Sequence, residues 1–391
     1  MNQQPRILIV DDEPFNIDYL EQELSELDYE IVTAVNGQEA LEKIKETSPD
    51  LVLLDIMMPI MDGFAVLDQA KADSAMRDIP IIVISANNDL KSVVKGIEKG
   101  ADDYLPKPFE PRILHARINT SLERKRLRDQ EQLYLQSLEK ELNIARDIQK
   151  EFLPIEIPSV AGWEVAAFFK AAKFVAGDYY DAFILPDGNL VFLVGDVCGK
   201  GVGAALFMTL FRSLLRATSS AEYFSEGTEP VSYSPATRIG QAVSITNRYV
   251  AETHERALVF STLFVGVLDA QTGKLTYING GNEPPYLLRA DGSLEELRPT
   301  GPVVGYMPDA KFKTGEVNMG SGDSLLVYTD GIPDTKNDQN EFFGHDRLKD
   351  FLKQGDATSE QRVNRLGSEL ENFVDGANQF DDITIMALKR L

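Results

Sequence analysis

Three short apolar runs, each closed by a polar residue, constrain the first third of this chain more than anything else in it. Ile7-Leu8-Ile9-Val10 ends in Asp11-Asp12, Leu51-Val52-Leu53-Leu54 ends in Asp55, and Ile81-Ile82-Val83-Ile84 ends in Ser85. Runs this short, apolar at every position, suit strands buried on both faces of a parallel sheet. Between the first two, Ile17, Leu20, Leu24 and Leu27 recur at helical spacing, and Gly37 opens a second helix carrying Ala40, Leu41 and Ile44. The pattern predicts a doubly wound α/β domain, a fold that binds ligands at the carboxyl ends of its strands.

The polar residues fall at those ends. Asp11, Asp12 and Asp55 would converge there, and such a cluster must hold a cation or shift its pKa values to relieve like-charge repulsion. Lys107, just past Tyr104-Leu105-Pro106, can reach the same place. Carboxylates, a hydroxyl and a lysine around one aspartate suit a phosphoryl acceptor, because a metal and a lysine offset the incoming charge.

Val10-Asp11-Asp12-Glu13, Asp55-Ile56-Met57-Met58-Pro59, Ser85-Ala86 and Lys107-Pro108-Phe109 together resemble the signature of a response-regulator receiver domain. The resemblance covers residues 5–121. It implies that Asp55 accepts a phosphoryl group from a sensor histidine kinase. It also implies a Mg2+ site formed by Asp11, Asp12, Asp55 and the backbone carbonyl of Met57. Ser85 and Tyr104 match the switch positions, and Lys107 matches the phosphate-binding lysine, with a cis bond to Pro108.

No Gly or Pro occurs from Glu123 to Phe152, and Pro154 and Pro158 follow. This predicts a long helix. Leu135, Leu138, Leu142 and Ala145 alternate spacings of three and four, and the phase continues through polar Gln149 to Phe152. The stripe fits either a short coiled coil or a single linker helix packed on its own domains.

Beyond it, strands are predicted at Trp163–Phe169, Tyr179–Leu185, Leu190–Val194, Phe260–Leu268, Leu275–Asn279, Tyr286–Arg289, Ser324–Tyr328 and Ile383–Leu388. Helices are predicted at Val202–Ala217, Ala236–Thr253, His345–Lys353 and Glu360–Val374. Ala221 to Pro235, rich in Ser, Glu, Tyr and Pro, reads as a loop. Strand runs with paired helices predict an α+β layered sandwich.

Asp178, Asp196, Asp330 and Asp381 lie at the ends of these strands, beside small or turn-permitting residues. With three widely separated histidines and one cysteine in the whole chain, a zinc site is disfavoured and a hard cation favoured. Four carboxylates brought together without cations would repel strongly. Two divalent ions roughly 3.5–4 Å apart would turn the same cluster into a hydrolytic centre.

Val175-Ala176-Gly177-Asp178-Tyr179-Tyr180-Asp181, Gly195–Gly201, Thr329-Asp330-Gly331 and Asp381-Asp382-Ile383-Thr384 resemble the SpoIIE/RsbU-like branch of the metal-dependent type 2C (PPM) protein phosphatases. The run from Glu141 through Gln149 to Leu153-Pro154 resembles that family's lead-in. The resemblance implies two Mn2+ or Mg2+ ions and hydrolysis of phosphoserine or phosphothreonine on an anti-sigma-factor antagonist or similar regulatory protein. By that match Asp196 bridges both ions, the carbonyl of Val197 binds one, Asp330 and Asp381 complete one site, and Asp178 serves the second. The choice between Asp381 and Asp382 stays open.

Two positions depart from the family pattern: Ala176 replaces the first of two glycines, and Asn282 stands where the family has a histidine. Asp181 is either an outer support of the site or a plain turn acid, and Cys198 reads as a small buried thiol rather than a nucleophile.

The formal net charge of −23 argues against nucleic acid and against an anionic membrane surface. No apolar run approaches the ~20 residues that span a bilayer. The start of the chain lacks a signal-peptide pattern, and a lone cysteine fits a reducing compartment, so a cytoplasmic protein is expected. The expected division is a receiver at residues 1–121, a helical linker at 122–154 and a phosphatase domain at 155–391, in a homodimer. The rival expectation is a phosphorylation-switched protein that sequesters a partner and has a weak or inactive phosphatase domain.

Overall fold

The computed structural model describes residues 4–86, 90–220, 234–355, 358–376 and 379–391. Nearly all of the loop expected at Ala221–Pro235 lies outside the described residues. The chain divides into two units, Met1–Leu138 and Glu139–Leu391.

The first unit is the doubly wound fold. Strands β1 (Arg6–Val10), β2 (Glu30–Ala34), β3 (Leu51–Asp55), β4 (Ile81–Ser85) and β5 (Asp103–Pro106) form one sheet in the order β2-β1-β3-β4-β5. Every pairing is parallel. Helices α1 (Pro14–Leu24), α2 (Gly37–Thr47), α3 (Gly63–Ala72) and α4 (Leu90–Glu98) alternate with the strands. The side chains of β1 and β3 explain the unbroken apolar runs. Leu8, Val10, Val52 and Leu54 pack under α2 and α3, while Ile7, Ile9, Leu51 and Leu53 pack with Ile17, Leu20 and Leu24 of α1.

Helix α5 runs from Pro111 to Phe152, 42 residues. Its first turns belong to the receiver-type fold, with Leu114 and Ile118 fully buried against the sheet. The expected apolar stripe is split. Leu135 and Leu138 are exposed, whereas Leu142 and Ala145 are partly covered and Gln149 is buried. The lower half of the stripe therefore packs on its own domain.

The second unit is a sandwich of two antiparallel sheets covered by helices. Its elements are β6 (Trp163–Lys170), β7 (Tyr179–Ile184), β8 (Leu190–Val197), α6 (Val202–Ser220), α7 (Pro235–Thr253), β9 (Ser261–Leu268) and β10 (Lys274–Gly280). They continue with β11 (Tyr286–Leu288), β12 (Leu294–Glu296), β13 (Gly315–Asn318), β14 (Ser324–Tyr328), α8 (Gly344–Lys353), α9 (Ser359–Val374) and β15 (Ile383–Arg390). The sheet orders are β13-β10-β9-β8-β7 and β12-β11-β14-β15-β6. Along β8, Leu190, Phe192 and Val194 face the core between the sheets, and Val191, Leu193 and Val197 face α6 and α7. Along β15, Met386 and Leu388 face inward, and Ile383, Ile385 and Ala387 face α8 and α9. Both faces of the central strands are covered, so period-2 alternation of polar and apolar residues is lost there.

Sequence patterning misses β12 and β13. Each is a short edge strand with no buried position, and Leu294-Glu295-Glu296 and Gly315-Glu316-Val317-Asn318 carry little apolar signal. The strand expected at Leu190–Val194 runs on to Val197, which places Asp196 inside it, opposite Thr262.

Candidate functional site

The parallel sheet delivers Asp11 from the end of β1, Asp55 from the end of β3 and Asp12 beside them. One carboxylate oxygen from each lies within 4.8 Å of the others. Lys107 Nζ donates to Asp11 Oδ2 at 2.6 Å and to Asp55 Oδ2 at 3.3 Å. Asp11 Oδ1 also accepts from Asn16 Nδ2 and the Glu13 amide, and Asp55 Oδ1 accepts from the Ile56 amide. Burial pushes the Asp55 carboxyl above its ordinary range. Lys107 opposes that shift, and the charge of Asp11 adds to it. Burial by itself would lower the Lys107 ammonium, but its bond to Asp11 and the charges of both acids leave it raised.

Ser85 is buried at the end of β4, and Tyr104 is buried in β5 opposite Val83. The Lys107–Pro108 bond is cis. Met57, two residues past Asp55, has a mostly exposed side chain. Three oxygen donors with a lysine alongside fit a hard cation and a phosphoryl group.

In the second unit, neighbouring strands in antiparallel pairs bring four chain segments to one end of the sandwich. Asp178 enters β7, Asp196 lies near the end of the adjacent β8, Asp330 follows β14, and Asp381 and Asp382 precede the adjacent β15. The two sheets are tied together there. Asp178 Oδ2 accepts from Thr329 Oγ1 at 2.7 Å and Thr384 Oγ1 at 2.6 Å. Asp382 Oδ2 accepts from the Gly177 amide at 2.8 Å. Gly331 permits the close approach, since a Cβ there would overlap the Asp382 carbonyl.

The acids feel one another strongly. Burial drives Asp178 well above the carboxylate range, with Asp196 and Asp382 adding to it and the two threonine hydroxyls opposing. Burial, then the charge of Asp330, pushes Asp196 up to about 7. Burial, then Asp381, pushes Asp330 up to about 6. Among the described residues only the receiver brings three acids within 4.8 Å of one another, whereas here Asp178 and Asp196 meet as a hydrogen-bonded pair. Hard-oxygen donors that raise one another in this way fit a pair of divalent ions shared between them.

The geometry separates Asp381 from Asp382. Asp382 is buried and spent on backbone, with Oδ1 accepting from the Ala172 amide at 2.7 Å and Oδ2 from Gly177. Asp381 is more open, and its Oδ2 pairs with Lys200 Nζ at 2.9 Å. Lys200 also donates to the Phe380 carbonyl at 2.7 Å and sits 4.1 Å from the Phe380 ring centroid.

Asn282 is fully engaged as a structural donor. Its Nδ2 donates to the Tyr328 and Glu283 carbonyls, each at 3.0 Å. Ala176 does not take a positive φ, so alanine fits where the family pattern has glycine. Asp181 is completely buried and pairs with Arg212 and Arg216 of α6, which makes it a support joining β7 to that helix. Cys198 is half-buried, its Sγ accepting from the Phe260 amide. Sequence reasoning passed over Lys200, Thr329, Thr384 and the pairing of Gln149. The glycines on both sides of Lys200 were a usable signal; the threonines look like ordinary strand residues.

Fold and site together define a receiver domain, a long helix and a PP2C-like domain in one chain. A model of the response regulator receiver domain matches residues 7–119. The model described as stage II sporulation protein E (SpoIIE) matches residues 186–391, more than half of the chain, and the chain belongs to that family. It is 41% identical over 268 residues to Protein IcfG of Synechocystis sp., covering 64% of this chain and 41% of that protein. It is 46% identical over 119 residues to the probable transcriptional regulator ycf27 of Guillardia theta, covering 30% of this chain and 46% of that protein. The chain thus spans less than half the length of these relatives. Among solved structures, the SiaA-PP2C domain of Pseudomonas aeruginosa shares the fold, with a TM-score of 0.55 at 21% identity over 66% of this chain and 98% of that one. Among the described residues no helix is long and apolar enough to cross a membrane.

Proposed function

We propose that the chain is a response regulator whose output is metal-dependent removal of phosphate from phosphoserine or phosphothreonine. The substrate is a regulatory protein of the anti-sigma-factor-antagonist kind, and phosphorylation of Asp55 by a sensor histidine kinase controls the output. Residues 1–121 serve as receiver, 122–154 as linker and 155–391 as phosphatase, working in the cytoplasm. The observation that carries this reading is the gathering of Asp178, Asp196, Asp330 and Asp381 from both sheets, with Asp196 and Asp330 pushed to about 7 and about 6.

In this reading Asp196 would serve both Mn2+ or Mg2+ ions and the Val197 carbonyl one of them, Asp330 and Asp381 would complete one site, and Asp178 would serve the other. The ions would supply charge stabilisation at the phosphoryl oxygens and a more acidic water. The protein's own part is to hold the acids at fixed positions. Asp178 is pinned by Thr329 and Thr384, and Lys200 holds Asp381 in place. In the receiver, Asp11, Asp12, Asp55 and the Met57 carbonyl take Mg2+, Lys107 and Ser85 bind the phosphoryl oxygens, and Tyr104 reports the change. Exposed Leu133, Tyr134, Leu135 and Leu138 on α5 support a homodimer through that helix.

The test is hydrolysis of a phosphoserine protein with excess Mn2+, with and without a small phosphoryl donor. Metal-dependent turnover that is lost in Asp196→Ala and responds to the donor only when Asp55 is present is expected. Absence of turnover despite bound Mn2+, on several substrates, would favour a partner-sequestering protein instead.

A further inference from the structure

Among the described residues, Gln149 is the one fully buried polar residue in the stretch of α5 that belongs to the second unit, at 7% exposure. Glu139, Lys140, Glu141, Asp147, Lys150 and Glu151 on the same stretch face outward. Burying a primary amide is unfavourable unless both of its ends are bonded, and a leucine or methionine here would pack without that cost. Both ends are bonded, and to one residue. Gln149 Nε2 donates to the Ala176 carbonyl at 2.8 Å, and Gln149 Oε1 accepts from the Ala176 amide at 3.0 Å.

Ala176 stands two residues before Asp178. The residue between them, Gly177, donates to Asp382 Oδ2 at 2.8 Å and accepts from the Val197 amide at 3.3 Å. Ala176, Gly177 and Asp178 are therefore held in turn by α5, by the Asp382 loop with the end of β8, and by the two threonines. A two-point pairing of this kind fixes direction as well as distance, since a shift that keeps one bond breaks the other. A small turn of α5 would carry the carboxamide away from Ala176, because successive residues of a helix are about 100° apart.

We infer that Gln149 is a positioning residue for the metal centre: it holds the backbone that presents Asp178, so the seating of α5 sets how tightly the second domain binds divalent ions. The inference rests on the phosphatase reading for the role of Asp178. It assigns the tie between helix and site to a hydrogen-bonded pair that apolar packing cannot replace.

The test compares Gln149→Met with Leu153→Ala in the full-length chain. Both are made in an Asp12→Ala background, which silences the receiver's own ion site. Methionine keeps length, packing and helix propensity but removes both bonds. Leu153, the residue that follows α5, is buried in an apolar cluster that does not include Ala176, so Leu153→Ala reports loss of packing. Mn2+ binding is read without substrate, from the electron paramagnetic resonance signal of the free ion.

A Mn2+ affinity weakened about tenfold in Gln149→Met and unchanged in Leu153→Ala is expected, even where both lower Tm. If Gln149→Met fails to fold, Gln149→Glu, which keeps the acceptor for the Ala176 amide, takes its place with the same expected weakening. Unchanged affinity in the glutamine variant, or equal weakening in Leu153→Ala, overturns the positioning role. If the parent chain binds no Mn2+ in its second domain, the phosphatase reading fails and this role fails with it; that outcome is distinct from bound Mn2+ that is indifferent to Gln149.

Discussion

The side-chain amide of Asn282 donates to the carbonyl of Tyr328 at 3.0 Å, two residues before Asp330. A residue that departs from the family pattern thus fastens the strand end from which one proposed metal ligand projects. Asn282→Ala leaves the Tyr328 and Glu283 carbonyls without this donor in a buried place, which costs about 1–3 kcal/mol. Differential scanning calorimetry should show a lower Tm for the second domain. The proposed phosphatase turnover should fall with it, because the approach to Asp330 loosens. A variant with unchanged Tm would show that the bonds carry no weight.

Asp381 and Asp382 are adjacent and should behave oppositely. Asp382 accepts from the amides of Ala172 and Gly177, so Asp382→Ala should lower stability by roughly 1–3 kcal/mol. Asp381→Asn should leave Tm of the metal-free protein nearly unchanged and weaken Mn2+ binding. Urea unfolding and isothermal titration calorimetry on both variants separate the roles. Loss of Mn2+ binding in Asp382→Ala at full stability, with normal binding in Asp381→Asn, would reverse the assignment.

The raised acids give a pH dependence of definite sign. An aspartate is ordinarily at about 3.9 in an unfolded chain. Asp196 is held up to about 7 and Asp330 up to about 6 in the fold, first by burial and then by neighbouring carboxylates. The folded state therefore keeps protons that the unfolded state has lost, and stability falls as pH rises between those values. For the chelator-treated protein, Tm of the second domain should drop from pH 5.5 to 7.5. The drop should be smaller in Asp196→Asn, and added Mn2+ should recover more at pH 7.5 than at 5.5. A Tm that rises over that interval in the parent and not in the variant would contradict the charge balance described for the site.

The proposed homodimer would bury apolar residues that α5 leaves uncovered. Leu135 and Leu138 are 54% and 40% exposed. Replacing both with aspartate should convert a dimer to a monomer in light scattering coupled to gel filtration, with the fold of both domains kept. A parent chain that is monomeric at tens of micromolar would remove the dimer from the proposal.

The sequence by itself determined the receiver almost completely. Its strands are buried on both faces and so appear as unbroken apolar runs, and its polar residues are pushed to the strand ends, where Asp11, Asp12, Asp55 and Lys107 could be named in advance. It also placed the four acids of the second domain near strand ends. A carboxylate is costly to bury in the middle of an apolar strand, and the glycines beside these acids mark where the chain turns.

Tertiary structure alone decided how these residues divide the work. Which of Asp381 and Asp382 is open depends on whose amides come close, and Ala172 and Gly177 approach from some two hundred positions away. The same holds for Asn282 reaching Tyr328, Lys200 reaching Asp381, and Gln149 reaching Ala176. Hydrophobic burial is read from local periodicity, because each residue carries its own apolar surface. A hydrogen bond needs two groups, and where the second lies far along the chain only the fold brings it within reach.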